Sequence, residues 1–343
     1  MKVNRESFLQ ILESVTAGLS NTGVEQGKCF IFQDSQVMTF SGECFVRRKI
    51  PIELSGAVEA DPILQILSKL KDEEIDVKTE EGQLLIQVFS LNKTGKEILK
   101  KKSWLQINPL ITVPTSLVED PGDWQKLHED FGEAVSTVSQ CSSKTKDERE
   151  WMLTCIHLHP KWIESGDCYQ FCRYRIQFGL ESSILVKAKS LQGVSQLGMT
   201  EFSQTGSWLH FRNPSGVVYS CRLHVGEYPS MGQLFKFEGE SVVLPKDLSE
   251  GIDRSEIFSK MEDQNLVQID LKPNKVWITG KSEKGGHTES KKVKYEGPEM
   301  SFCIAPKMLS TLAKKFSEGI VAEDKLKFDS GTYKLLCYLR KGN

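Results

Sequence analysis

The chain has 343 residues, 26% charged and 39% hydrophobic, with 12 prolines and 26 glycines, which excludes a disordered or fibrous protein. At roughly 100–200 residues per domain this length calls for two or three domains. Lys+Arg 44 against Asp+Glu 46 leave a net charge of -2, so a uniformly basic nucleic-acid binder is excluded and any basic surface must be local.

The first element predicted is an amphipathic helix in which Phe8, Ile11, Leu12 and Val15 share one face. KCFIFQ and QVMTFS flank Asp34-Ser35 as a hairpin, and CFVRRKIPIEL continues as extended chain. Asp61 and Pro62 supply an N-cap and a first helical residue for a second helix carrying Ile63, Leu64, Ile66, Leu67 and Leu70. EIDVKT and QLLIQVF around Glu81-Gly82 then form a second hairpin.

After a proline-punctuated stretch the order repeats. Trp124, Leu127, Phe131, Val135 and Val138 predict a helix, MLTCIHLH, CYQFCRYRIQF and SSILV predict strands, and KAKSLQGVSQLG a short helix. EFSQTG, SWLHFRN and VVYSCRL follow as strands. A third round places Ile257, Phe258 and Met261 in a helix, LVQIDLKPNKVWITG in a hairpin, and KKVKYE and MSFCIA in strands. PKMLSTLAKKFSEG is its second helix, and KLKFDS and YKLLCYL close the chain. A period of about 115 residues is too long for a solenoid unit and fits three copies of one α+β domain, at 1–112, 113–223 and 224–343.

Cys29, Cys44, Cys141, Cys155, Cys168, Cys172, Cys221, Cys303 and Cys337 give an odd count with no CxxC pair, so thiols in a reducing cytoplasm are expected rather than a disulfide framework or zinc ribbon. The charged N-terminal stretch does not read as a signal peptide, and no apolar run reaches the ~20 residues needed to span a bilayer. His157 and His159 alternate on one strand with Asp167 beyond, the one arrangement from which a metal hydrolase could be built; surface histidines are the plainer reading. Gly285-Gly286 reads as a hairpin turn, and no cofactor or catalytic motif is expected.

Lysines recur on the second helix of every block: Lys69 and Lys71, Lys187 and Lys189, then Lys307, Lys314 and Lys315. Arg5, Lys126 and Lys260 add to the first helices. Facing one surface, these groups would track a phosphate backbone without reading bases.

Gly226-Glu227-Tyr228-Pro229 at the second junction, SFCIA running into Pro306-Lys307-Met308-Leu309, and the closing Leu335-Leu336-Cys337-Tyr338-Leu339-Arg340 resemble the bacterial DNA polymerase III β sliding clamp family, whose "G-x-[YF]-P-D" segment joins its second and third domains. The resemblance is architectural over the whole chain and reaches the letters from about Trp124 onward, as in a divergent member of the kind a phage carries. It implies three repeated clamp domains, a head-to-tail homodimer closed around double-stranded DNA, and no enzymatic activity. DNA polymerase and a clamp loader would dock a short peptide in one apolar pocket. Leu153, Phe171, Pro229, Leu234 and Met308, with Leu335, Leu336 and Leu339, would form its wall. Tyr169, Gln170, Gln233 and Tyr338 would lie at its edge. Two departures bear on that pocket: Gly166-Asp167-Cys168-Tyr169-Gln170-Phe171 lacks the family's His-Arg pair, and the terminal segment lacks its Met-Pro-Met. The alternative binding role is a clamp-like scaffold that does not close.

Overall fold

A computed structural model describes residues 1–21, 23–145, 147–262 and 265–341, with the side chains of Glu148, Leu312, Lys315 and Lys341 outside the description. In the first block β1 (Lys2–Asn4) enters α1 (Arg5–Glu13), and β2 (Cys29–Gln33), β3 (Gln36–Phe40) and β4 (Cys44–Lys49) form a meander. Next β5 (Gly56–Glu59) runs straight into α2 (Ala60–Lys69), followed by a second meander, β6 (Glu74–Glu80), β7 (Gln83–Leu91) and β8 (Glu97–Gln106). The second block repeats the order: β9 (Gln125–Lys126), α3 (Phe131–Val138), β10 (Cys155–His159), β11 (Trp162–Gly166), β12 (Gln170–Arg175), β13 (Ile184–Lys187), α4 (Ala188–Gln196), β14 (Glu201–Gln204), β15 (Trp208–Arg212) and β16 (Val218–His224). The third has β17 (Glu240–Val243), α5 (Leu248–Ser259), β18 (Val267–Lys272), β19 (Lys275–Ser282), β20 (Gly285–Lys292), β21 (Lys294–Tyr295) and β22 (Met300–Ile304). It ends with α6 (Pro306–Lys315), β23 (Glu318–Val321), β24 (Lys325–Asp329), β25 (Tyr333–Tyr338) and β26 (Arg340–Lys341).

Local chemistry accounts for many of these elements. Asn4 accepts the Ser7 N–H at 2.9 Å and so caps α1, which buries Phe8 and Leu12 one turn apart. Asp34 and Ser35 both adopt positive φ, 51° and 53°, the geometry that matches a two-residue turn to the twist of β2 and β3.

Four expectations fail for tertiary reasons. Helix α2 begins at Ala60, not after an Asp61 cap, because the Ala60 N–H donates to the Lys28 carbonyl at 3.0 Å as the chain leaves β5. Trp124 and Leu127 precede the helix, since Gln125 and Lys126 pair with Phe202 and Glu201 and the Leu127 N–H donates to Thr200. Met152 and Leu153 lie in a 3-10 turn, Glu148–Thr154, ahead of β10. Of Ile257, Phe258 and Met261, placed together in a helix, only the first two lie on α5 and Met261 follows it; Ile257 is 58% and Met261 52% exposed and Phe258 half-buried, while Leu248, Gly251, Ile252, Ser255 and Ser259 are buried. Small residues lie inward there because β19 packs against the helix so closely that a side chain at Gly280 would strike the Ser255 carbonyl. Strand β8 is exposed at nearly every position and lacks an apolar alternation by which to predict it.

The chain forms two compact units, one of residues 1–136 with 178–225, the other of 137–177 with 226–343. The middle block is therefore shared between them. In the first unit an antiparallel sheet runs β5-β2-β3-β4-β16-β15-β14-β9, with the four-stranded sheet β1-β6-β7-β8 beside it. In the second a sheet runs β10-β11-β12-β25-β24-β23-β17-β21, with a five-stranded sheet β20-β19-β18-β22-β26. Each unit thus contains one seam between successive blocks, β4 with β16 and β12 with β25. In both seams the last strand of one block's first meander pairs with the last strand of the next block's second meander. The first unit's core includes Phe40 against Phe45 and Trp208, whose ring centroids lie 6.3 and 6.4 Å away.

Candidate functional site

Helices pair within each block: α1 on α2, α5 on α6, and α3 beside α4, where a Cβ on Gly132 would lie 3.8 Å from the Ser195 carbonyl oxygen. Their polar faces differ. Helix α1 exposes Glu6 and Glu13, and α5 exposes Glu250, Asp253 and Arg254. Helices α4 and α6 contain no acidic residue.

The predicted DNA-facing residues separate accordingly. Lys189 on α4 and Lys307 and Lys314 on α6 are exposed, as is Lys69 at the end of α2. Lys71 is exposed beyond that helix, and Lys187 is the half-buried last residue of β13 rather than a helix residue. Lys126 stands exposed on β9 because that segment joins a sheet edge. Arg5 donates to the Leu67 carbonyl at 3.2 Å and braces α1 against α2. Lys260 follows α5 and pairs with Glu256 at 3.1 Å. The Lys315 side chain lies outside the described residues.

Part of the predicted pocket set, Phe171, Leu234, Leu336 and Tyr338, meets in the second unit, at the seam where Phe171 is opposite Leu336 and Gln170 opposite Cys337. Phe171, Leu336 and Phe235 form a buried cluster, onto which Tyr228, Met231, Leu234, Phe237 and Tyr338 pack. The Phe171 and Phe235 ring centroids are 5.3 Å apart. A 3-10 turn, Gly232–Phe235, lays this segment along the seam, and the Lys327 ammonium fixes it by donating to the Phe235 and Phe237 carbonyls at 3.1 and 3.4 Å.

At the seam's end Asp167 accepts the Tyr169 and Gln170 N–H groups at 2.7 and 2.8 Å, holding the turn that leads into Phe171. Tyr169 is half exposed beneath the Arg340 guanidinium, 4.4 Å from its ring. Pro229 and Gln233 are exposed on the same segment as Leu234, and Leu153 is half-buried in its 3-10 turn.

Two wall residues are corrected by strand alternation. Leu335 and Cys337 point away from the face that carries Leu336 and Tyr338, and the Cys337 sulfur approaches the Met308 sulfur at 3.1 Å. Leu335 and Met308 therefore pack on the far side of β25. Leu339, also buried, follows with its N–H bonded to the Asp324 carbonyl. Sequence reasoning missed Tyr228, Met231, Phe235 and Phe237, although their spacing along YPSMGQLFKF was the signal available.

Beside this cluster the imagined metal site is something else. His157 Nδ1 lies 2.7 Å from Glu164 Oε1, and Arg173 Nε donates to Glu164 Oε2 at 2.6 Å. Burial pushes the Glu164 carboxyl up, but His157 and Arg173 outweigh it and hold it below the ordinary carboxylate range. His157 stacks on Tyr228 at 5.1 Å, while His159 stacks on Trp162 at 3.5 Å, with the Arg173 guanidinium 4.6 Å from the same indole. Asp167 is committed to its turn. Among the described residues no group of three His, Cys, Asp or Glu side chains could hold a metal ion, so a hydrolase built on His157, His159 and Asp167 has no geometric basis.

No protein-family model matches the chain, and no curated protein matches it. Solved structures do. A DNA polymerase sliding clamp from Pseudomonas aeruginosa superposes with a TM-score of 0.79 at 14% identity, over 100% of this chain and 99% of that one. The DNA polymerase III beta subunit from Thermotoga maritima gives 0.79 at 17% identity, over 100% and 99%. The DNA polymerase III beta chain from Streptococcus pneumoniae TIGR4 gives 0.80 at 14%, over 99% of each. At such identities the likeness speaks for the fold, and the fold of this chain is that of the DNA polymerase III beta sliding clamp.

Proposed function

We propose that the chain is a DNA sliding clamp, a non-enzymatic ring that encircles double-stranded DNA and tethers a DNA polymerase to it, its three blocks serving as clamp domains 1–112, 113–223 and 224–343. The observation that carries this reading is the match of the clamp fold over 99–100% of the chain. The acid-free, lysine-bearing faces of α4 and α6 support it, since ammonium groups at phosphate distance hold a duplex without reading it.

The repeat indicates how such a ring would close. The two seams use β4 with β16 and β12 with β25, so the same rule leaves β20, the end strand of its sheet, to pair with β8, the end strand of its own. Those strands belong to different units, and a second copy joined head to tail supplies the missing partner at both ends, the arrangement that closes a ring. Exposed Ile98, Leu99 and Trp104 on β8, and Ile257 on α5 with Met261 just beyond it, give that contact apolar surface. The aromatic cluster on the β12–β25 seam is the docking place for an apolar peptide of the polymerase and of the clamp loader, and a bacterial or phage-infected cytoplasm is the setting.

Ring closure predicts a solution mass twice the chain's 38.7 kDa, reduced to the single-chain mass by Leu99→Asp. The topological link is tested by incubating the protein with linear duplex and ligating the ends. Protein trapped on the circle at high salt and released when the circle is cut supports the clamp. Equal retention on linear and circular DNA, or a monomer that never persists on the circle, overturns it.

A further inference from the structure

Strands β4 and β16 bring two cysteines face to face. The register sets Cys44 opposite Cys221. The next pair, Glu43 and Arg222, is hydrogen-bonded, with the Arg222 N–H donating to the Glu43 carbonyl at 2.9 Å. Antiparallel pairs alternate, so Cys44 and Cys221 occupy a non-hydrogen-bonded site, where opposed Cα atoms lie about 4.5 Å apart and side chains converge. Disulfides span Cα separations of about 4.4–6.8 Å, so a bond fits this register.

The surroundings favour one sulfur as the attacking group. The Tyr219 hydroxyl lies 3.2 Å from Cys44 Sγ and 2.9 Å from the Ser190 carbonyl, and the Cys44 N–H donates to Ser41 Oγ at 2.9 Å. The neighbouring Cys221 thiol, with Ser190, Tyr219 and Ser41, draws the Cys44 thiol down to about 7 against its burial, while burial pushes Cys221 up. The charged groups nearby are Glu43, which meets His224 at 2.8 Å, Lys187 and Arg222. Cys44 is 5% exposed and Cys221 fully buried, so only a small oxidant reaches them.

We propose that Cys44 and Cys221 are a reversible disulfide site, oxidised by hydrogen peroxide to a bond that ties the first block to the second. The Cys44 thiolate attacks one peroxide oxygen, the O–O bond breaks, and the other oxygen takes up the proton that the thiol released and leaves as water, giving a sulfenic acid. The Cys221 sulfur then attacks the Cys44 sulfur; the S–S bond forms, the S–O bond breaks, and a second water leaves. Two thiols lose two electrons and two protons, and the peroxide is reduced to two waters. Attack of a thiolate on either sulfur reverses the reaction by exchange through a mixed disulfide.

The test treats the reduced, full-length protein with peroxide, alkylates all remaining thiols in denaturant and maps the peptides by mass spectrometry, with exposed Cys168 as the internal gauge of oxidant. The expected result is a Cys44–Cys221 peptide that dithiothreitol removes, together with a raised unfolding midpoint. In Cys221→Ser the linkage is lost and Cys44 is trapped by dimedone as its sulfenic acid. Recovery of Cys44 and Cys221 as free thiols from wild-type protein whose Cys168 is oxidised overturns the proposal, as does a linkage of either cysteine to any other. The wild-type mapping decides the matter even where the variant folds poorly.

Discussion

The two seams, β4 with β16 and β12 with β25, have one topology and opposite chemistry. In the first, the junction is closed: Tyr219 is 1% exposed, its hydroxyl reaches the α4 backbone at Ser190, and any side chain at Gly193 would collide with its ring. In the second, the strands meet beneath a separate segment, Tyr228 to Phe237, whose aromatic side chains pack on Phe171 and Leu336 while Tyr169, Pro229 and Gln233 stay exposed. The backbone repeat sets where strands pair. What lies over them decides whether the seam is merely structural or offers an apolar recess with a wet rim, the kind of surface on which a few anchors dominate binding.

Substitutions can separate the seams, beginning with the largest effect. Glu164→Ala leaves Arg173 and the partly buried His157 without their carboxylate, and a loss of about 3–5 kcal/mol in denaturant unfolding is expected. Leu336→Ala, from a fully buried position, should cost about 2–5 kcal/mol and also abolish binding of an apolar clamp-binding peptide in calorimetry.

Acid should distinguish the units by pH. His210, fully buried between Thr205 and Ser220, is pushed by burial from 6.5 to about 4. The unfolded histidine protonates first, so stability present above pH 6.5 drains away as pH falls towards 4, by about 3 kcal/mol at most. In the second unit the depressed Glu164 contributes stability that is lost only as pH falls below its unfolded value of 4.5. Amide exchange followed from pH 7 downward should show the first unit loosening before the second, and simultaneous loosening would erase this contrast.

Tyr219→Phe removes a buried hydroxyl from the closed seam and should cost about 1 kcal/mol, with peptide binding untouched. The smallest stability effect, within about 0.5 kcal/mol, is expected for Lys189, Lys307 and Lys314 changed together to Glu, since all three are exposed. The same change should strongly weaken retention on DNA and flatten its salt dependence. A stability loss as large as that of Leu336→Ala would mean these lysines belong to the fold rather than to a partner surface.

Much of the fold was legible because its signals are local. Phe8 and Leu12 lie a helical turn apart, Asp34-Ser35 sits between two apolar runs, and Pro306 opens a helix after SFCIA; each needs only its neighbours in the chain. The candidate site was legible in part. Phe171, Leu234 and Leu336 do come together, but Leu335 and Met308 fall on the other side of β25, which only the pairing register decides. The plainer reading of His157 and His159 as surface histidines did not show that Glu164 and Trp162, on the adjacent strand, take them up.

The sequence by itself determined the order of helices and strands, the recurrence of that order, and the lysine-bearing, acid-free character of α4 and α6, because hydrophobic period and side-chain charge are written residue by residue. The tertiary structure alone decided which strands form the seams, that the middle block is divided between two units, that Ile257 and Met261 face outward, and that Cys44 meets Cys221. Each of those depends on contact between residues far apart in the chain, and composition and spacing do not encode which distant surface a strand or helix will meet.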